Sequence, residues 1–455
     1  NMQAANANRM LNVTTGQQAK STEKLSSGYR INRAADDAAG LSISEKMRKQ
    51  IRGLDKASSN AEDGVSSVQT AEGALTEVHS MLQRMNELAT QSANGTNSTT
   101  DRSAIQDEIS QLTTEIDRVA ETTKFNETYL LKGGDGTKLE YMKGHDAGLK
   151  GALTDGTTTA TFKVAAGALD EGKSVTIGGK DYTIGSAVAD VQDAVDKLTT
   201  AGDKVTVNDK TYTYVAKDSA APGGQTVTKA GWVLDGDKAS KEGIALTIAN
   251  GDKVTTTTKA GASASYTAAE MDNGVSKADP SIISAEKAVS LMKDELIAAN
   301  KVGVTNGTVE ITGNPAYDKD NGVTFNINKG SAEVANKLSF SLHVGSDADM
   351  TNKITVGIET MNSSYLGIKG LNVNDDSGIA GTYAIDAISD ALQKVSDQRS
   401  SLGAVQNRLE HTIDNLDNVV ENTTSAESRI RDTDMAKEMV NYSKNNILAQ
   451  AGQSM

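Results

Sequence analysis

Residues 41–90 read LSISEKMRKQIRGLDKASSNAEDGVSSVQTAEGALTEVHSMLQRMNELAT, and apolar side chains recur in this stretch at steps of three and four or their sums. The apolar positions are Met47, Ile51, Leu54, Ala61, Val65, Val68, Leu75, Val78, Leu82, Met85 and Leu88. This spacing predicts one long α-helix with a narrow apolar face. At about 1.5 Å per residue, the helix would be a rod of roughly 75 Å. Such a helix needs other helices alongside it, as in a coiled coil or an elongated bundle.

Two further apolar seams in the same chain can supply these partner helices. The first consists of Ile105, Ile109, Leu112, Ile116 and Val119. The second, near the other end of the chain, consists of Ile385, Ile388, Leu392, Val395, Leu402, Val405, Leu409, Ile413, Leu416 and Val420. The short, turn-rich link at residues 92–100 predicts that a helix at about 101–122 folds back antiparallel, with Thr100 or Asp101 as its N-cap. We therefore expect the two ends of the chain to lie side by side.

The outermost segments carry weaker patterns. Residues 1–27 cannot offset their ordering entropy alone, so we expect them to be disordered in the free chain and helical against copies of themselves, with a frayed terminus as the alternative. The last rod helix is predicted at about 380–422, and a charged joint follows at residues 428–432. The simplest partner for the closing helix beyond this joint is the segment 1–27.

A connector follows the first segment. Gly28 breaks the helix, and Arg30 and Arg33 then precede Asp36 and Asp37. Paired carboxylates can act as acid and base or bind a metal, but no histidine or third carboxylate accompanies these two. A salt-bridged joint is the favoured interpretation.

Composition limits the classes of function. With 455 residues, the chain is long enough for about three domains. The formal net charge of −14 argues against a nucleic-acid partner, which requires a basic surface. No apolar run approaches the roughly 18 residues of a membrane span, and the start of the chain lacks the features of a secretory signal, which by itself favours the cytoplasm. The absence of cysteine excludes disulfides and thiol chemistry.

The middle of the chain, residues 129–376, is rich in glycine and threonine. Alternating runs at residues 174–177 and 180–184, and again at 204–207 and 211–215, predict hairpins. Helical patterns begin near Val188 and Ile282, and two strands are expected to lie back against the rod at residues 337–344 and 353–358. The predicted fold class is α+β: an elongated antiparallel helical bundle or coiled coil built from both chain ends, with one or more β-rich α+β domains inserted in the middle.

One run has the residues of a nucleotide-binding site. Residues 167–174, GALDEGKS, match the P-loop pattern, in which backbone amides and a lysine bind phosphate. A P-loop must lead into a helix, but the residues after Ser174 read as a strand, and Asp170 and Glu171 would repel phosphate. We therefore expect no nucleotide cofactor, and an enzyme housed in the insert is the alternative from another class of function.

Metal ligands are also sparse in the sequence. The four histidines, which lie far apart and outside any zinc-binding motif, are His79, His145, His343 and His411. Asp347, Asp349 and the cluster at residues 372–376 lack the glycine and closing glutamate of a calcium loop. We expect no metal, no cofactor and no catalytic site.

Several runs resemble the terminal signatures of bacterial flagellin, the subunit of the flagellar filament. They are KLSSGYRIN at residues 24–32, AADDAAGLSIS at 34–44, NAEDG at 60–64, QTAEGAL at 69–75, SSLGAVQNRL at 400–409 and ESRIRDTDMA at 427–436. The resemblance covers most of residues 1–130 and 380–455. The family pattern usually begins a few residues before Asn1 and continues some helical turns beyond Met455.

The resemblance implies a structural, non-enzymatic subunit that polymerises into an extracellular filament for motility. It also implies export in unfolded form through the flagellum's own channel, and partners comprising further copies, an export chaperone and filament cap and junction proteins. A hook-filament junction protein with similar terminal helices is the alternative. The resemblance implies that residues 1–38 and 426–455 are the two parts of an inner terminal-helix domain. Residues 39–130 and 336–425 would be the two parts of the rod domain, and the part at 336–425 would consist of a β-hairpin and a long helix. Residues 131–335 would be inserted variable outer domains.

A second resemblance concerns residues 82–89, LQRMNELA, which are similar to the segment by which Toll-like receptor 5 recognises many flagellins. The resemblance implies that Arg84 is the central cation, Leu88 its apolar neighbour and Glu108 its acidic partner on the antiparallel helix. Gln83 and Glu87 would be peripheral. The alternative is that Leu88 belongs to the seam and that Arg84 and Glu108 form an ordinary surface pair.

Overall fold

The computed structural model describes residues 2–238 and 241–454, which form eight α-helices with β-strands between the third and the seventh. The helices are α1 (Met2–Ser27), α2 (Ala38–Ser92), α3 (Thr99–Thr122), α4 (Val188–Asp196), α5 (Ala285–Asn300), α6 (Ser363–Leu366), α7 (Ile379–Arg431) and α8 (Met435–Ser454). Helices α2 and α7, from opposite ends of the sequence, pack together along the rod, and α3 packs on α2. The 55-residue α2 is roughly 80 Å long.

Most of the residues in the apolar seams predicted from spacing form one buried core. It includes Val68, Leu75, Val78, Leu82, Met85, Leu88, Ile105, Ile109, Ile116, Ile388, Val395 and Leu402. The predicted bundle built from both chain ends is therefore confirmed, because residues of all three seams are buried in one core and α2 packs on both α3 and α7.

The N-cap of α3 differs from the prediction. Ser98, in extended conformation, caps the helix, and its hydroxyl accepts a hydrogen bond from the Asp101 amide. The Asp101 carboxylate in turn accepts from the Ser98 amide at 3.0 Å, which completes a capping box. Thr100 and Asp101 therefore lie inside the first turn, and the prediction that either is the cap was wrong.

The last rod helix also differs, because α7 continues through the predicted joint at residues 428–432 as far as Arg431. Glu427 accepts a hydrogen bond from the Ser44 hydroxyl of α2 at 2.8 Å and lies 3.7 Å from Arg431. These contacts hold the last turns of α7 on the rod, so the boundary expected at residue 425 falls within a helix.

The two terminal segments are paired, as expected, but α1 is helical within the single chain. Helix α1 packs along α8, and Gly452 lies close to Leu11. The expectation that residues 1–27 need other copies to become helical was therefore wrong for the described residues, because α8 supplies the partner.

The strands, numbered in chain order, are β1 (Lys124–Phe125), β2 (Thr128–Tyr129), β3 (Thr137–Tyr141), β4 (Ala152–Asp155), β5 (Thr159–Val164), β6 (Ser174–Ile177), β7 (Lys180–Ile184), β8 (Ser186–Ala187), β9 (Lys204–Val207), β10 (Lys210–Val215), β11 (Gly231–Leu234), β12 (Lys253–Thr257), β13 (Ser263–Ala269), β14 (Met271–Asp272), β15 (Val275–Ser276), β16 (Ile282–Ile283), β17 (Glu310–Thr312), β18 (Val323–Asn328), β19 (Ser331–Ala335), β20 (Leu338–His343) and β21 (Lys353–Ile358). The predicted hairpins β6–β7 and β9–β10 are confirmed. Asn208 and Asp209 turn the second hairpin with positive φ angles of 46° and 69°.

The insert has an inner and an outer part. In the inner part, the four-stranded sheet β17-β18-β5-β4 and the five-stranded sheet β14-β15-β16-β7-β6 share a core with α5. In the outer part, α4 covers the six-stranded sheet β11-β10-β9-β12-β13-β8 around Trp232. The antiparallel pair β20–β21 returns to the rod, where Leu342 contacts Gly64 of α2, as the sequence predicted.

Candidate recognition and assembly surfaces

Arg84 links the two helices on which the receptor-binding residues were predicted. Its Nε donates to Oε1 of Glu108 on α3 at 2.8 Å, and its Nη1 donates to Oε2 of Glu87 on α2 at 3.2 Å. The hydrogen bond to Glu108, and secondly that to Glu87, raise the pKa of the Arg84 guanidinium above its ordinary value. The structure therefore brings the predicted cation and its predicted acidic partner together, with Glu87 as a second acid.

This cluster stays open to solvent. The side chains of Arg84, Glu87 and Glu108 are 50%, 69% and 44% exposed. Exposed ion pairs contribute little to folding stability because water and salt screen them. Another molecule can therefore compete for the guanidinium without unfolding the rod.

The other two predicted residues lie on different sides of α2. Gln83 is exposed, and its amide nitrogen lies 3.1 Å from Nε2 of His79 one turn earlier, a neighbour that the sequence reading did not include. Leu88 is 2% exposed and belongs to the rod core. Its predicted role as an apolar contact is therefore not available in this conformation, and its side chain instead supports the surface from beneath.

A second surface is the apolar face of the terminal helices. On α8, Met439, Val440 and Ile447 are 62%, 67% and 67% exposed. Met10 and Val13 of α1 are also exposed. Contiguous exposed apolar side chains usually mark an interface, because their contact with water is unfavourable.

The terminal pair is joined to the rod by two crossing segments. The Arg30 amide donates to the Arg431 carbonyl at 2.7 Å, and the Thr433 amide donates to the Gly28 carbonyl at 3.0 Å. The Arg431 guanidinium lies over the Tyr29 ring, 4.5 Å from its centroid. These paired segments hold both terminal helices at the same end of the rod.

The acids in this joint do not form the ion pairs that the sequence suggested. Asp36 accepts a hydrogen bond from the Arg33 amide at 2.9 Å, and this bond is the main cause of its lowered pKa. Asp37 caps α2 by accepting from the Gly40 amide at 2.8 Å. The Arg33 side chain instead pairs with Glu23 at 3.0 Å. The predicted salt bridges within the connector were wrong, because both carboxylates are used by backbone amides.

The P-loop-like run does not lead into a helix. Ser174 begins strand β6, as expected from the sequence. The Asp170 carboxylate accepts a hydrogen bond from the Tyr317 hydroxyl at 2.8 Å, which places negative charge in the loop. No helix begins directly after this loop, so the loop lacks the helix N-terminus that binds phosphate in a P-loop.

Backbone amides also donate hydrogen bonds to two of the acidic side chains that the sequence analysis considered as calcium ligands and rejected. Asp375 accepts from the Gly378 amide at 2.8 Å and from the Ile379 amide at 3.1 Å at the start of α7. Asp349 accepts from the Thr351 amide at 2.9 Å. Within residues 2–238 and 241–454, no three His, Cys, Asp or Glu side chains are grouped to hold a metal ion.

Among the helices in these two ranges, none combines the length and the hydropathy of a transmembrane segment.

Family models match the two ends of the chain, where the motifs lie. The bacterial flagellin N-terminal helical region matches residues 1–135, and the bacterial flagellin C-terminal helical region matches residues 385–455. Among solved structures, FliC from Burkholderia pseudomallei is 18% identical with a TM-score of 0.29, covering 76% of this chain and 99% of that chain. The flagellar junction protein FlgL from Legionella pneumophila is 12% identical with a TM-score of 0.32, covering 86% and 99%.

Curated relatives match over the whole chain. A flagellin from Clostridium tyrobutyricum is 40% identical over 459 aligned positions, which cover 100% of this chain and 96% of the relative. Polar flagellin A of Vibrio parahaemolyticus is 33% identical and covers 100% of this chain and 94% of the relative. The matches therefore include the insert as well as the rod. The chain belongs to the bacterial flagellin family.

Proposed function

We propose that this chain is a subunit that polymerises into the flagellar filament and has no catalytic activity. The observation that carries the proposal is the exposed apolar face of α8, with Met439, Val440 and Ile447, beside the exposed residues of α1. Family membership supports the same role, since flagellins are structural proteins of the filament. The filament lies outside the cell, so export through the flagellar channel accompanies this proposal.

The shape of the chain favours an open assembly. Both terminal helices lie at one end of the rod. Their apolar faces can therefore contact a different surface of the next copy, and the same patch need not meet itself. Heterologous contacts that do not close into a ring generate helical filaments. Each buried apolar contact contributes roughly 25 cal/mol per Å² before association costs, so many modest contacts can hold a long polymer.

Electron microscopy after salt-induced assembly tests this proposal. The full chain should form long filaments, and a variant lacking residues 1–27 should remain monomeric with an intact rod by circular dichroism. Filaments from the truncated variant would assign assembly to another surface. If the full chain formed only short assemblies or stayed monomeric, the result would favour the alternative, a hook-filament junction protein.

We also infer that Toll-like receptor 5 binds the surface formed by Gln83, Arg84, Glu87 and Glu108. A charged, exposed guanidinium held by two carboxylates on rigid helices is a suitable anchor, because little side-chain entropy is lost on binding. Arginine is also common among residues that dominate interface energies. Leu88 enters this proposal as support for the helix and not as a contact.

Receptor binding by the purified monomer tests this inference. Arg84→Ala should weaken binding at least about tenfold, a typical loss at an interface anchor. Arg118→Ala is the matched control, because Arg118 forms a similar exposed pair with Glu115 on α3. Equal binding by both variants and the unmodified chain would contradict the proposed surface.

The remaining partners follow from the same proposal. An export chaperone would cover the apolar face of α8 before secretion, and cap and junction proteins would meet the subunits at the filament ends. The proposed domains are an inner terminal-helix domain (1–38 and 432–455), a rod domain (39–130 and 336–431) and outer domains (131–335), with the last boundary moved from residue 425 to the end of α7. No nucleic acid, membrane, metal or cofactor is part of the proposal.

A further inference from the structure

The loop that resembles a P-loop lies at a hinge within the insert. We call the described residues 186–238 and 241–269 the outer unit, which contains α4 and the six-stranded sheet. The chain enters this unit at Ser186 and leaves it at Ala269, and the two crossing segments pair in parallel, with Ser186 opposite Ala268. The outer unit is therefore joined to the inner sheets through two adjacent, paired crossing segments, which we call the hinge.

The loop itself is fixed to the inner part. The Gly172 amide donates to the Ile184 carbonyl at 2.8 Å, and the Ile184 amide donates to the Lys173 carbonyl at 2.8 Å. These bonds hold residues 170–173 against the end of β7. Any side chain that reaches from this loop to the outer unit therefore connects the two parts across the hinge.

Glu171 is such a side chain. Its Oε1 accepts a short hydrogen bond from the Ser186 hydroxyl, and the Thr267 backbone amide lowers the pKa of the carboxyl. Ser186 and Thr267 lie on β8 and β13, one on each crossing segment. Glu171 is thus hydrogen-bonded to the entering segment, which in turn pairs with the leaving one.

The surroundings of Glu171 disfavour its charged form. Its Oε2 is buried and has no hydrogen-bond partner among the described residues. Asp170 on the same loop and Asp190 on α4 face it with like charge, while Lys319 from the loop before β18 attracts it. Burial is the largest cause that raises the pKa of this carboxyl to about 7, and the two aspartates add to it.

We propose that Glu171 links the outer unit to the inner sheets, and that ionisation of its buried carboxyl loosens the hinge. When the hinge opens, water reaches the carboxyl and its pKa returns toward the ordinary value of about 4.5. Between these two pKa values the closed state binds more protons than the open state, so closing weakens as the pH rises. Above about pH 7 the effect no longer grows.

Distance measurements across the hinge test the proposal. Because the chain contains no cysteine, spin labels can be placed at Ala201→Cys in the outer unit and Thr158→Cys in the inner part, both exposed positions. Between pH 5 and pH 8 the ratio of open to closed molecules should rise at least about tenfold. In Glu171→Gln, which stays neutral, the ratio should change less than about twofold. Glu310→Gln, at an exposed carboxylate on β17, should behave as the unmodified chain.

A second measurement uses Trp232, the single tryptophan, which is buried in the outer unit. Urea unfolding followed by its fluorescence should shift to lower urea between pH 5 and pH 8 in the unmodified chain, and by less in Glu171→Gln. An equal pH response of the distance and of the urea midpoint in both proteins would overturn the proposal, as would the absence of any response in the unmodified chain.

Discussion

The rod and the terminal helix pair are built from the same kind of element but bury it very differently. In α2, sixteen residues are buried against α3, α7 and the returning hairpin. Among the described residues of α8, Ala449 alone is buried, and the apolar side chains on its other face remain in water. The rod completes its core within one chain, whereas the terminal pair leaves apolar surface for other copies.

Truncating a rod-core side chain should have the largest effect on stability. Leu75→Ala removes a buried side chain from the seam of α2, so the free energy of unfolding should fall by about 2–5 kcal/mol. Urea unfolding followed by far-ultraviolet circular dichroism measures this loss. Thr76→Ala, at the adjacent exposed position, should change it by less than about 0.5 kcal/mol. Similar losses for both variants would mean that this part of the seam is not tightly packed.

Close packing of the two long helices makes a second prediction. A Cβ at Gly381 of α7 would lie 2.8 Å from the backbone nitrogen of Ala93 and 3.0 Å from the backbone oxygen of Ala89. Gly381→Ala should therefore destabilise the rod by about 1–3 kcal/mol. Gly403, on the same helix, has open space where a Cβ would lie. Gly403→Ala should stabilise the rod by up to about 1 kcal/mol, and the same sign of change in both variants would contradict the packing.

A smaller effect is expected where α3 begins. Ser98→Ala removes the hydroxyl of the capping box and should lower the free energy of unfolding by about 1 kcal/mol. Thr114→Ala removes an exposed hydroxyl in the middle of the same helix, where it bonds the Ser110 carbonyl, and should have almost no effect. Thermal unfolding of the two variants in parallel separates a capping effect from a general loss of hydroxyls.

The smallest effect on the monomer should come from the terminal pair. Ile447→Ala truncates a large apolar side chain that is mostly exposed, so the free energy of unfolding should change by less than about 0.5 kcal/mol. Calorimetry of the monomer checks this value against that of Leu75→Ala. A loss as large as the rod-core loss would show that Ile447 is already packed within the single chain.

The two regions also differed in how far the sequence could predict them. Apolar residues spaced three and four positions apart identified all three rod helices. In a long seam, one apolar residue that is exposed, such as Ile43, does not hide the pattern. Helix ends were less accurate. The extension of α7 depends on the contact of Glu427 with Ser44, which lies far away in sequence. The cap of α3 depends on a choice among neighbouring Ser98, Thr99, Thr100 and Asp101 that only the backbone conformation decides.

The candidate receptor surface shows the same limit. The pairing of Arg84 with Glu108 came from the resemblance, and spacing by itself predicted only that the two helices lie antiparallel. Leu88, which its spacing placed in the seam, is buried there, while Glu87 one position earlier is exposed. Asp36 and Asp37 were read as ion-pair partners because the sequence shows charges but not the free backbone amides that compete for them.

The claim that the terminal pair is the assembly surface is tested most directly by electron microscopy of a variant with Met439→Asp and Ile447→Asp. Both residues are exposed in the single chain, so the variant should melt like the unmodified monomer. Two charges on the apolar face of α8 should nevertheless abolish filaments, because burying them against other copies is unfavourable. Filaments of normal length from this variant, with an unchanged monomer, would contradict the account.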